Sequence, residues 1–116
     1  MKLVLFGTPS DQSCFKENCG ELCIDDLQSF DQTHTFVEYL SNNYPNAVVV
    51  LMNGAYGMEG AIAARRICPS VPLIWFTDDA GFGSQSYRLD VSYFGTKPLS
   101  KEKIETAFFR SKLINS

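Results

Sequence analysis

Short apolar runs alternate with stretches of helical periodicity along the whole chain. Leu3 to Phe6 is an apolar run broken by Gly7-Thr8-Pro9, which predicts a first strand. Ser10 or Asp11 can cap a helix after it, in which Phe15, Cys19, Leu22 and Cys23 recur at helical spacing and Gly20 is a weak point. Leu27 to Phe30 predicts a weaker second strand. Thr35-x-x-Glu38 has the form of a capping box and opens a helix that turns Phe36, Val37 and Leu40 inward, with Tyr44 as a further candidate, before Pro45 stops it.

Ala47 to Met52 reads Ala-Val-Val-Val-Leu-Met, the continuous β-branched run of a central strand buried on both faces. Asn53 to Gly57 predicts a loop, and Met58 to Cys68 an Ala-rich helix ended by Pro69. Leu73 to Phe76 is a fourth strand. The pattern then weakens: Asp78 to Gln85 holds two glycines and few helix formers, leaving only Ser86 to Leu89 for a fourth helix. Tyr93 to Thr96 is a fifth strand. Ser100 caps a last helix with Ile104, Ala107 and Phe108 inward, and Leu99 with Ile104 can form a hydrophobic staple. Strands alternating with helices in one short chain predict a doubly wound parallel sheet, an α/β fold. In such sheets a site lies at the carboxyl ends of the strands, here Gly7-Thr8, Met52-Asn53, Thr77-Asp78 and Thr96-Lys97.

At 116 residues the chain fits a single domain, 1–116, and its 45% apolar residues suffice for a core. Net charge is −3, and the only basic doublet is Arg65-Arg66, which argues against direct nucleic-acid binding. The first apolar run is too short for a secretory segment and no stretch is long enough to span a membrane, so a cytoplasmic protein with no membrane partner is expected. The spacing Cys14-x4-Cys19-x3-Cys23 is not a zinc pattern, and His34 is the only histidine, so the cysteines are read as reduced core thiols and no metal is expected.

Four motifs in order resemble the receiver domain of response regulators, the CheY-like family. Val48-Val-Val-Leu-Met followed by Gly57-Met-Glu-Gly resembles the third strand and its loop, and Ala64-Arg-Arg-Ile the third helix. Val71-Pro-Leu-Ile-Trp-Phe-Thr77 resembles the fourth strand with its terminal Thr, and Phe94-Gly-Thr-Lys97-Pro98-Leu99 the fifth strand with its Lys-Pro. The resemblance implies a flavodoxin-like five-stranded sheet in order 2-1-3-4-5, with a fourth helix that is short or irregular here. It implies Thr77 and Lys97 as retained pocket residues and Phe94 as the switch aromatic. It also places the acidic pair on Gly7 and Thr8 and the phosphoacceptor on Met52, none of which carries a carboxylate. Clustered carboxylates are what hold Mg²⁺ in this chemistry, so no Mg²⁺, no aspartyl phosphorylation and no enzyme activity are expected. Asp78 and Asp79 are candidates to pair with Lys97 in place of the lost acids.

The resemblance therefore implies a degenerate receiver of a two-component system that works without phosphorylation, through contact with a protein partner or a second copy as a homodimer. The family's contact face would include Tyr87, Arg88, Tyr93, Lys101 and Phe109. The rival expectation is a small-molecule or anion sensor that uses the strand-end pocket, with Lys97 and the Gly7-Thr8 amides as the anion site. An output domain beyond Ser116 is a third expectation. Short likenesses of Phe6-Gly7-Thr8-Pro9 to the start of methionyl-tRNA formyltransferase and of Gly7-Thr8-Pro9-Ser10 to a flavodoxin phosphate loop lack the accompanying motifs.

Overall fold

Proline has its φ fixed near the helical value and no N–H to leave unpaired, so it favours the first position of a helix. Pro9 takes that place, and Thr8 rather than Ser10 or Asp11 becomes the cap of the first helix. The computed structural model describes residues 1–20 and 22–114. Its elements are β1 (Lys2–Phe6), α1 (Pro9–Asn18), β2 (Asp26–Phe30), α2 (Thr33–Asn42), β3 (Ala47–Val50), α3 (Gly54–Ile67), β4 (Leu73–Thr77), a 3-10 turn (Ala80–Phe82), α4 (Gly83–Arg88), β5 (Tyr93–Thr96) and α5 (Lys101–Arg110). The five strands are parallel and lie in the order β2-β1-β3-β4-β5, the flavodoxin-like arrangement expected.

Side chains alternate across each strand, and here both faces are covered. Leu3, Leu5, Val49, Leu51, Ile74 and Phe76 point to one side, where Phe15 of α1 and Ile104 and Phe108 of α5 close over them. Val4, Phe6, Val48, Val50, Leu73 and Trp75 point to the other, under Phe36 and Leu40 of α2 and Ala61 and Ala64 of α3. Phe6 and Phe36 stack with ring centroids 4.6 Å apart. Burying such side chains contributes on the order of 2 kcal/mol each.

Several boundaries differ from the sequence expectation. α1 ends at Asn18, with Cys19 as its C-cap, so Leu22 and Cys23 lie outside it and Phe15 is its only buried residue. Cys23 is exposed, Cys14 and Cys19 are half-buried, and all four cysteines are free thiols. α2 begins at Thr33, and the Thr35 hydroxyl donates back to the Gln32 carbonyl (3.0 Å) instead of capping, as a first-turn threonine does. Tyr44 follows the extended C-cap Asn43 and is 64% exposed, not inward. α3 starts at Gly54 instead of Met58. Gly57 does not break it, because the first turn of α3 presses against Met52: a Cβ at Gly57 would stand 2.0 Å from the Met52 carbonyl oxygen. The fourth helix is short, six residues after a 3-10 turn. The Ser100 hydroxyl accepts from the Lys103 amide and caps α5, with Leu99 and Ile104 in one apolar cluster.

Arg65 ties the far end of this half of the sheet together. Its guanidinium donates to the carbonyls of Pro69 (2.9 Å) and Val71 (2.8 Å) beyond α3, and to those of Leu89 (2.8 Å) and Asp90 (2.9 Å) in the turn between α4 and β5. At the opposite edge, the Met1 amine donates to the Asp25 carboxylate and to the Cys23 carbonyl, pinning the start of β2 beside β1.

Candidate functional site

The carboxyl ends of β1, β3, β4 and β5 meet where the sheet topology predicts a site. Lys97 follows β5, its amide donates to the Thr77 carbonyl (2.9 Å), and its peptide to Pro98 is cis. The Lys97 ammonium reaches across the end of the sheet and donates to Asp11 Oδ1 (2.8 Å) and to the Leu51 carbonyl (2.6 Å). Both charged side chains are largely withdrawn from water, 15% and 18% exposed. The other Asp11 oxygen accepts from the Thr8 amide (3.2 Å) and hydroxyl (2.9 Å), while Thr8 Oγ1 accepts from the Asp11 amide (3.1 Å). This is a reciprocal capping box, and it fixes the carboxylate that faces Lys97.

Asp11 is the residue that sequence reasoning missed as a partner. Asp78 and Asp79 were expected to pair with Lys97 and do not. Asp78 accepts from the Thr77 hydroxyl (3.2 Å), and Asp79 accepts from the Gly81 amide (2.7 Å), capping the 3-10 turn. Each acid takes the nearest local donor, and Lys97 takes a carboxylate 86 positions away in sequence.

The positions that the family resemblance assigns to acids carry other chemistry. Gly7 lies at the end of β1 with no spare room: a Cβ there would meet Leu51 Cβ at 2.9 Å and Asp11 Cβ at 3.1 Å. Thr8 spends its side chain on the cap. Met52, two residues past β3, is half-buried against the α2–α3 side of the sheet. A glycine, a hydroxyl and a thioether supply no carboxylate oxygen at the three positions; Asp11 is engaged by the Lys97 ammonium and Asp78 by the Thr77 hydroxyl. Among the described residues, no group of three or more His, Cys, Asp or Glu side chains gathers closely enough to share a metal ion.

Thr77 is fully buried at the end of β4. Phe94 is half-buried with its ring edge-on to Trp75 at 5.3 Å, and Trp75 also meets Phe82 at 5.6 Å. Phe94 is thus held against Trp75 on the face of the sheet that α2 and α3 cover. Of the expected contact residues, Tyr87 is 89% and Phe109 48% exposed, and Arg88 and Lys101 are also exposed. Tyr93 packs on Phe76 (5.8 Å) and belongs with the core under α1 and α5, so it offers the surface only part of its ring.

No protein-family model and no curated protein sequence matches this chain. Solved structures do match it. The signal receiver domain of a modulated diguanylate cyclase from Desulfovibrio desulfuricans superposes with a TM-score of 0.73 at 21% identity, covering 97% of this chain and 96% of that one. A CheY-like response regulator from Mesorhizobium loti gives 0.74 at 20% identity, over 95% and 97%. The pilus assembly protein CpaE from Caulobacter crescentus gives 0.73 at 15% identity, over 93% and 96%. The chain has the fold of CheY-like response-regulator receiver domains. No helix of the described residues is long and apolar enough to cross a membrane.

Proposed function

We infer that the protein is a cytoplasmic signalling module with a receiver fold that acts by protein contact and is independent of aspartyl phosphorylation. The observation that carries this reading is the Asp11–Lys97 pair. Phosphoryl transfer needs a carboxylate acceptor and cations free to offset the charge in flight. The acceptor position here is Met52, and the Lys97 ammonium is already committed to Asp11 and the Leu51 carbonyl. With Gly7 and Thr8 at the other two positions, no Mg²⁺ cage is available in this reading. The same pairing weakens the rival reading of the pocket as an anion sensor, since a neutralised lysine attracts anions poorly. Free thiols on all four cysteines suit a reducing compartment.

The contact surface in this reading is the edge formed by α4, β5 and α5, where Tyr87, Arg88, Lys101 and Phe109 are exposed. The test is an NMR titration of the whole chain with Mg²⁺ and beryllofluoride, and separately with acetyl phosphate. The expected result is an unchanged spectrum around Met52, Thr77 and Lys97. Saturable Mg²⁺-dependent shifts at those residues would overturn the reading.

A further inference from the structure

Charge is distributed unevenly along the chain. Residues 83–116 carry six Lys/Arg against three Asp/Glu, and residues 1–82 carry four against ten. The fold turns this bias into a location. Helices of a doubly wound sheet run back against the strands, so their C-terminal ends lie at the amino ends of the strands, opposite the Lys97 site. Three consecutive helices end there in arginine: α3 with Arg65-Arg66, α4 with Arg88 and α5 with Arg110. The Arg65 bonds to the Leu89 and Asp90 carbonyls place the end of α3 directly beside the end of α4. Exposed Lys112 follows α5, and Asp90 is the one carboxylate in these turns.

Basic residues in a last turn complement the helix dipole, and that accounts for some of the arginines. It does not account for the aromatics. α4 ends in Tyr87-Arg88 and α5 in Phe109-Arg110, and both rings are exposed, 89% and 48%. None of Arg66, Arg88, Arg110 and Lys112 has a carboxylate within 4.0 Å among the described residues. Exposed aromatic and arginine side chains side by side are the composition of binding hot spots, with the aromatic supplying buried area and the arginine direction.

We propose that this corner, at the amino end of the β4–β5 half of the sheet, docks an acidic segment of a partner protein that carries an apolar anchor. The proposal rests on the reading of the protein as a contact module and gives the partner its chemistry. A nucleic acid fits less well, because a polyanion longer than the corner would run onto a surface that is net −6 over residues 1–82. A second copy is separated from such a partner by the concentration arm of the test.

The test is an NMR titration of the whole chain, without Mg²⁺, using a short synthetic peptide of glutamates around a leucine pair. The same peptide with glutamines, a short DNA duplex and the protein alone at rising concentration are the other arms. The glutamate peptide is expected to shift Tyr87, Arg88, Phe109 and Arg110, with affinity falling roughly tenfold between about 50 and 300 mM NaCl. Arg88→Glu with Arg110→Glu is expected to abolish the shifts while the spectrum stays folded, and Tyr87→Ala to weaken binding about tenfold. The proposal is overturned by shifts that are absent or lie elsewhere, by equal binding of the glutamine peptide, by tighter binding of the duplex, or by the same residues shifting on concentration alone. Failure here with a silent beryllofluoride titration removes the acidic partner and leaves the phosphorylation-independent reading standing; shifts at Met52 in that titration remove the latter instead.

Discussion

Asp11 shows how one residue serves two levels of structure. Its amide and carboxylate close the cap of α1 with Thr8, and the same carboxylate compensates a lysine brought from β5. An ion pair this far from water weakens sharply when one partner is removed, because the remaining charge keeps its desolvation cost. Asp11→Asn is expected to cost about 1–3 kcal/mol in urea unfolding, and Lys97→Met to cost less, since it leaves only a capped carboxylate behind. The double variant is expected to show a coupling of about 1–2 kcal/mol; additive losses would mean that the two side chains do not stabilise each other. Gly7→Ala is expected to cost about 1–3 kcal/mol, since its Cβ would overlap Leu51 Cβ at 2.9 Å, a contact between two packed backbones that cannot be relieved by a rotamer. That Gly7, Thr8, Met52, Thr77 and Lys97 fall at the carboxyl ends of the strands was legible in the sequence from short motifs in order. The partner of Lys97 was not. Its carboxylate comes from a helix cap whose register depends on Pro9, and the contact spans 86 positions, which no local pattern encodes.

Among the elements, strands were the most legible, because a parallel strand buried on both faces needs an unbroken apolar run and little else. β5 was expected at Tyr93 to Thr96 and lies at Tyr93–Thr96. Helix ends were less legible, since several residues can cap and tertiary contacts choose among them. Asn53 to Gly57 has the glycines of a loop, yet Gly54 and Gly57 belong to the first turn of α3, and Gly57 lets that turn lie against Met52. Arg65 stood in the Ala64-Arg-Arg-Ile motif, but nothing in that motif indicates that it joins the end of α3 to the turn before β5. Arg65→Ala leaves five carbonyls, that of Cys68 among them, without their charged donor and is expected to cost about 3 kcal/mol, with faster amide exchange at residues 89–92. Arg65→Lys keeps the charge but not the fork, and is expected to recover less than half of that. The same guanidinium acts on Cys68, whose thiol burial pushes up in pKa while Arg65 pulls it partly back. Cys68 is therefore expected to react slowest with a thiol reagent and exposed Cys23 fastest, and Arg65→Ala to slow Cys68 further if the fold persists. A thiol whose folded pKa is raised favours folding below its ordinary pKa, and that advantage is lost as pH rises through the folded value. Alkaline unfolding is thus expected to begin earlier in the wild type than in Cys68→Ala once the cavity cost is subtracted.

At the scale of the molecule, the sheet is unequally secured from edge to edge. β1, β3 and β4 bury nearly every side chain, and β5 is clamped through Arg65 and the Trp75–Phe94 contact. β2 is an edge strand whose residues are all half-buried, so its attachment relies more on its ends. One end is held by the Met1 amine on Asp25, which donates a hydrogen bond and lowers the carboxyl pKa below its ordinary value, the hydrogen bond first and the charge second. The direction of the pH effect follows. A carboxyl depressed in the folded state stabilises that state above its unfolded pKa, about 3.9, and loses the contribution as pH falls through the folded value. Acidification should therefore loosen β2 before the rest of the sheet. The measurement is amide exchange at Leu27, Gln28 and Ser29 compared with Val48, Val49 and Val50 over that pH range. The β2 amides are expected to lose protection first, and acetylation of the amine to produce the same loss at neutral pH. Simultaneous loss across all five strands would show instead that the sheet opens as one unit and that the terminal ion pair contributes nothing distinct to its edge.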